Sequence, residues 1–346
     1  IGADGSLRHV PGSPFPSMGV GPVSLSVAGD ILLVANRNED PHQLHELMGA
    51  ARANYASFRI GGRGDLSFVS KVDLPEGEKN TQILTSSRNP RLAFGNEFRV
   101  DVDFDGEGGV SRLFDSAPSV SGGLRSFSID DHGALDALDY ATLPETVEPA
   151  PEVPSIPLGI WDHPTRNLVY AGLVTRNQLG VYRYDHTGSL AFVAAVDNSG
   201  QDICWLKVSA DGTRLYAVNN LPREDRQDAA STITVFDISG AKSERPVEIG
   251  RVELPLPYGT FVNNRNAPQP NSTAFQFDLD EEGGFLYVVM QRIDQTWANT
   301  SDDGNVIHSV RIDPSGDLEV VASRLLKHDG VTPRARPQGV VVHPLN

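Results

Sequence analysis

Apolar and polar residues alternate with a period of two along most of this chain, in short runs broken by Gly, Pro, Asn or Asp. Runs of that kind predict β-strands joined by tight turns. One pattern recurs: an alternating run, a Gly four residues beyond its last apolar position, then a Leu two later. It reads Ile60, Gly64, Leu66 in FRIGGRGDLSFV and Ile129, Gly133, Leu135 in FSIDDHGALDAL. It returns as Tyr184, Gly188, Leu190 in YRYDHTGSLAFV and as Ile312, Gly316, Leu318 in VRIDPSGDLEVV. Ile1, Gly5 and Leu7 fit the same frame, and TVFDISGAKSERPVEIGRV is a copy with a longer turn. Each copy predicts a β-hairpin.

A second hairpin type precedes each of these. It appears as VSLSVAGDILLVAN, ILTSSRNPRLAFGN, LGIWDHPTRNLVYAG, WLKVSADGTRLYAVNN and FQFDLDEEGGFLYVVMQ. The two types in tandem make a four-stranded unit of about 45 to 70 residues, the size class of a propeller blade. RPQGVVVHP, from Arg336 to Pro344, matches a first strand, and residues 1–10 match the last two strands of a unit. The expectation is an all-β chain, one β-propeller domain over 1–346, its ring closed by terminal strands sharing a blade. Six units are counted; seven follow if residues are missing upstream of Ile1, which reads as mid-strand.

Composition narrows the chemistry. Twenty-nine Lys plus Arg against 45 Asp plus Glu leave a formal charge of −16, which repels phosphate backbones and anionic lipid. Nucleic acid and membrane are therefore not expected partners, and no apolar run approaches the length of a spanning helix. A single cysteine, Cys204, excludes an internal disulfide framework and a Cys-rich metal site. No G-x-S-x-G elbow, P-loop or dinucleotide fingerprint occurs, so no organic cofactor is expected. A soluble monomer is expected; the compartment is left open, because an N-terminus that reads as truncated is compatible with a removed signal peptide.

CWLKVSADGTRLYAVNN and PQGVVVHP, each tied to a V-x-V-[FY]-x-I type of strand, resemble the β-propeller lactonase family. That family includes propeller 6-phosphogluconolactonases and fungal carboxymuconate cyclases, usually with seven blades. The resemblance covers nearly the whole chain and rests on architectural motifs. It implies opening or closing of a small lactone, or action on a related carboxylate or sugar acid. It also implies a histidine in a Pro-His context where a first inner strand begins. The matching stretch here is Asn80-Thr81-Gln82, without a histidine.

The turns after first strands are short, whereas long excursions at about 37–54, 97–123, 221–231, 255–272 and 292–305 gather at the other ends of the strands. Loops this long are usually functional. In NEDPHQLHELMGAARA, a helix capped by Asp40 would project His42, His45 and Glu46 at spacings of three and four. With Arg223 or Arg265 from later loops, these would replace the family's acid–base and oxyanion groups. Asp101, Asp103 and Asp105, followed by Gly106, open like a D-x-D-x-D-G calcium loop, so Ca²⁺ is the one metal considered. The same stretch alternates with Phe98, Val100, Val102 and Phe104, which predicts an amphipathic strand with an acidic wet face. Tyr258 and Trp297 offer rings for stacking, and Gln82, Asp202 and Gln338 are polar groups at first-strand positions where a channel would be lined. A lactonase-like enzyme with a small-molecule substrate is the leading expectation. A non-catalytic ligand- or protein-binding propeller, or an isomerase or lyase on the same scaffold, stands beside it.

Overall fold

The computed structural model describes residues 6–38, 52–99, 103–104, 110–112, 121–144, 155–221, 229–255, 260–262, 268–270, 272–292, 304–332, 335 and 337–343. β1 (Pro22–Ala28), β2 (Ile31–Asn36), β3 (Asn54–Ile60) and β4 (Leu66–Asp73) form a first antiparallel sheet in that order. β5 (Glu78–Thr85) and β6 (Leu92–Arg99) open the second. It is completed, after the small ladder of β7 (Asp103–Phe104) and β8 (Val110–Arg112), by β9 (Gly123–Ile129) and β10 (Leu135–Thr142). The third holds β11 (Pro157–Asp162), β12 (Leu168–Leu173), β13 (Gln178–Tyr184) and β14 (Leu190–Asp197). β15 (Gln201–Val208), β16 (Arg214–Leu221), β17 (Ala229–Asp237) and β18 (Val247–Pro255) make the fourth. β19 (Thr260–Val262) pairs with β20 (Pro268–Pro270), and β21 (Thr273–Leu279), β22 (Phe285–Gln291), β23 (Val306–Ile312) and β24 (Leu318–Leu325) make the fifth four-stranded sheet.

Five units of four strands are therefore present, each with the two hairpins expected from its turns. The Gly-containing turn of the first pattern explains its own repetition. Asp130, Asp185 and Asp313 each accept backbone N–H groups two and four residues on, at 2.8–3.0 Å. The Gly that follows lies at φ +86° (Gly133), +85° (Gly188) or +96° (Gly316), where a Cβ would strain the chain. The longer copy turns through a 3-10 segment, Gly240–Ser243.

The terminal stretches differ from expectation. Residues 6–10 and 337–343 carry no strand, and the backbone N–H of Val342 goes to a carboxylate oxygen of Asp278 (2.8 Å) rather than to a ladder partner. Residues 1–5, and the helix expected from Asp40, lie outside the described residues. No helix among the described residues is long and apolar enough to cross a membrane.

By contact density the chain divides into two compact units, residues 1–176 with 180–195, and residues 177–179 with 196–344. In the first, Leu33, Ala35 and Tyr55 pack on Ile83, Ala93 and Phe127 of the next sheet. Phe94 and Leu124 pack in turn on Ile160, Val169, Ala171 and Tyr182. In the second unit, Tyr216, Val218 and Ile233 face Phe277, Leu286, Val288 and Met290. Each Leu, Ile, Val, Met or Phe side chain among these, removed from water, contributes roughly 1.5–3 kcal/mol.

A further regularity was hidden in the alternation. Pairing runs Asn80↔Glu97 then Ile83↔Gly95, and Ile203↔Asn219 then Leu206↔Ala217, so the first strand holds one residue more than its partner. The same surplus occurs between Pro22 and Ser24, Pro157 and Ile160, and Ala274 and Phe277. All five sheets thus carry a β-bulge near the start of the first strand, the kind of irregularity that re-aims side chains beside functional sites.

Candidate functional site

The starts of the first strands are built from buried amides. Asn96 accepts the N–H of Gln82 at 2.8 Å and donates to the carbonyls of Pro157 (2.7 Å) and Leu158 (2.8 Å). Asn219 accepts from the Asn198 amide at 2.7 Å and donates to the Thr232 and Thr234 hydroxyls at 2.9 and 2.8 Å. Both asparagines are fully buried, and Asn96 satisfies an N–H that the bulged strand leaves without a ladder partner.

Gln82 serves the same end. It is buried, and its side-chain oxygen accepts the N–H of Ile160 from the first strand of the next sheet at 2.7 Å. Thr81 is bonded to the Leu158 carbonyl, Ser272 to Gly304 O (2.7 Å) and Thr273 to Asn220 O (2.6 Å). Gln338 is exposed and outside any strand.

Asp202 stands apart. It is the second residue of β15 and holds φ at +64°, one of four non-glycine residues at positive φ among the described residues. A single non-glycine residue in that region costs about 1–2 kcal/mol, less for Asp than for most. Its backbone N–H donates to the Asn177 side-chain oxygen at 2.7 Å. The approach to it is fixed from several sides. A Cβ on Gly200 would meet the Asn219 amide at 2.1 Å, so only glycine fits there. Ser199 N–H donates to Glu248 (2.9 Å), and Arg251 donates to Ser199 O (2.8 Å). Burial alone pushes the Asp202 carboxyl up to about 6. Among the described residues none hydrogen-bonds it. Such a group takes a proton above its midpoint and gives one below it, within the range where enzymes use acid–base catalysts.

Burial also raises Glu78, Asp162 and Glu97, and the last two are engaged by hydrogen-bonding partners. Burial raises Asp162 to about 6 as well, but one oxygen accepts Ser87 N–H at 2.6 Å and the Ser86 hydroxyl at 3.4 Å, beside Tyr184. Burial also raises Glu97, against the opposing pull of the Arg125 guanidinium, which grips both its oxygens at 2.5 and 2.8 Å and stacks on Tyr140 at 4.8 Å. In the second unit Lys207 pairs with Asp278 while burial draws its ammonium down to about 8.

Of the residues singled out by sequence, His42, His45, Glu46, Asp101, Asp105, Arg223, Tyr258, Arg265 and Trp297 lie outside the described residues. Asp103 is placed in β7, with Arg112 opposite it and Phe104 opposite Val110, the strand-and-return geometry of the amphipathic reading. Among the described residues no three His, Cys, Asp or Glu side chains are grouped to hold a metal. Sequence reasoning missed Asn96, Asn177 and Asn219. The recurrence of Asn in LVAN, AFGN and YAVNN was a visible signal for two of them.

No family model matches the sequence, and no curated protein matches it. Solved structures do match. The periplasmic gluconolactonase of Pseudomonas aeruginosa superposes with a TM-score of 0.62 at 20% identity, over 88% of this chain and 72% of that one. A putative 6-phosphogluconolactonase from Bacteroides fragilis gives 0.56 at 15% identity, over 88% and 71%. Hydrazine synthase of Kuenenia stuttgartiensis gives 0.51 at 12% identity, over 90% and 69%, so one sheet grammar serves unlike chemistries. At these identities the likeness is one of fold. By fold, the protein's structural neighbours include β-propellers of the gluconolactonase and 6-phosphogluconolactonase type.

Proposed function

We propose that the protein hydrolyses a small neutral lactone, of the aldonolactone class, with Asp202 as its acid–base catalyst. The observation that carries this reading is the Asp202 carboxyl: desolvated, held at positive φ, and without a hydrogen-bonding partner among the described residues. The fold of its neighbours supports the substrate class. Charge supports the choice within it. A chain of net charge −16 with a carboxylate at the site disfavours a phosphorylated lactone and tolerates a neutral one.

In this scheme the ionised Asp202 takes a proton from water as the water oxygen bonds to the lactone carbonyl carbon. The tetrahedral oxyanion then collapses, the ring C–O bond breaks, and the ring oxygen receives that proton from the Asp202 carboxylic acid. Lactone and water are consumed, a hydroxy acid leaves, and the carboxylate is restored. General-base assistance of this kind contributes roughly 10²–10⁴ in rate. Arg223 and Arg265 are the proposed groups for the oxyanion and the substrate hydroxyls.

The test is hydrolysis of glucono-δ-lactone and of its 6-phosphate, above the spontaneous rate, with wild type and Asp202→Asn. Expected is turnover of the neutral lactone that falls as pH drops through about 6, and its loss in the variant. Wild-type turnover by a folded Asp202→Asn protein would remove Asp202 from the mechanism. No turnover of either lactone by the wild type would remove the lactonase reading.

A further inference from the structure

We infer that Asn177 is a positioning residue for Asp202, setting the backbone conformation that aims its carboxyl and keeps it desolvated. The inference rests on the acid–base reading of Asp202 for its functional meaning, but not for its test. Asn177 and Asp202 are both at positive φ, +50° and +64°. They are bonded to each other: the Asn177 side-chain oxygen accepts the Asp202 N–H at 2.7 Å. The Asn177 carbonyl also accepts the N–H of Asn198 at 2.9 Å. One residue therefore holds both ends of the segment 198–202, with its main chain at the start and its side chain at the end.

The sequence supports that double hold. Asn177 follows the 3-10 turn Val174–Arg176 and precedes β13, where a left-handed residue is needed and Asn is the non-glycine residue that adopts it most readily. The rest of the segment is held by other groups. Asn198 donates to Asn219, Ser199 to Glu248, and Gly200 sits against Asn219. None of those contacts touches the amide of Asp202. Among the described residues that amide is fixed by Asn177 alone. Without its acceptor the N–H needs another partner, and Asp202 relaxes most readily to negative φ. A change of more than 100° in φ swings the carboxyl away from the place where burial raises it.

Two substitutions move the outcome in opposite directions. Asn177→Gly keeps the left-handed backbone and removes the side-chain oxygen. Asn177→Asp keeps both backbone preference and acceptor, and adds a like charge beside Asp202. The reading is the titration midpoint of the Asp202 carboxyl carbon, followed by ¹³C NMR with Asp202→Asn as the assignment control. Expected is a downward shift of about one unit for Asn177→Gly, tenfold in the acid constant, and an upward shift for Asn177→Asp. The acid limb of the lactonase pH–rate profile moves with each midpoint, and kcat of Asn177→Gly falls about tenfold with KM little changed. If Asn177→Gly does not fold, Asn177→Asp decides alone. A midpoint unmoved in every folded variant overturns the inference. A midpoint that moves in a protein without lactonase turnover sustains the positioning role and sinks the acid–base role.

Discussion

Asp162 and Asp202 are both pushed up to about 6 by burial, yet one is bound into the structure and the other is not. Asp162 is the last residue of β11. It ties the turn after β5 to the third sheet through Ser87 N–H (2.6 Å) and the Ser86 hydroxyl. Asp202 is the second residue of β15, and its backbone is anchored while its carboxyl has no described partner. Equal proton affinity therefore marks two different designs. A raised carboxyl with one oxygen claimed by the fold is a clasp; one with neither oxygen engaged among the described residues is a candidate reagent.

The largest expected contrast is catalytic. Asp202→Asn should lower kcat/KM on a neutral lactone by about 10²–10⁴, whereas Asp162→Asn should stay within about twofold. A comparable loss in Asp162→Asn would erase the distinction. Stability should separate the pair the other way. Asp162→Ala strands the Ser87 N–H and should cost about 1–3 kcal/mol in denaturant unfolding, while Asp202→Asn keeps a residue type that tolerates positive φ, removes an unpaired charge and should cost less than 1 kcal/mol.

A smaller effect is shared. A carboxyl raised on folding binds protons more tightly in the native state, so its stabilising contribution is full below about pH 4 and is lost as pH rises through about 6. Each residue should make unfolding at pH 7.5 easier by up to about 3 kcal/mol relative to its fully protonated form, less for the partly exposed Asp202. Either Asn variant should flatten that part of the stability–pH curve, and two superimposable curves would show that neither group is shifted. The smallest effect concerns a third acidic place. With Asp103 paired in a ladder opposite Arg112, excess Ca²⁺ against EDTA should leave Tm unchanged. A rise would mark Asp101, Asp103 and Asp105 as carboxylates engaged by a cation, a third design beside the other two.

Much of the fold was legible because its turns are chemical signatures. Asp followed by Gly three residues on, in Asp130, Asp185 and Asp313, writes the same loop wherever it occurs. The bulges were not legible, because one surplus residue in a first strand leaves the alternation on either side intact. Gln82 shows the consequence. Its place at a strand start suggested a channel-lining group, but its amide closes a contact with Ile160, 78 positions onward. Asp202 was picked out as a polar group, yet its backbone conformation and its proton affinity depend on Asn177 and on the packing around β15. Pattern along a strand carries no trace of a partner 25 positions upstream.

The repeated bulge has a bearing on how such a molecule can change. A surplus residue reverses which face each preceding side chain meets, so positions before it answer to a different environment from those after it. Ile83, Ile160, Leu206 and Phe277, just beyond the irregularity, are fully buried between sheets. Thr81 and Asp202, within or before it, are half-buried, beside the buried Asn80, Gln82, Ile203 and Ala274. In the second and fourth sheets the chain thus has a seam at which chemistry can drift while the packing behind it is kept. A scaffold with such seams can acquire a new reaction without first having to relearn how to fold.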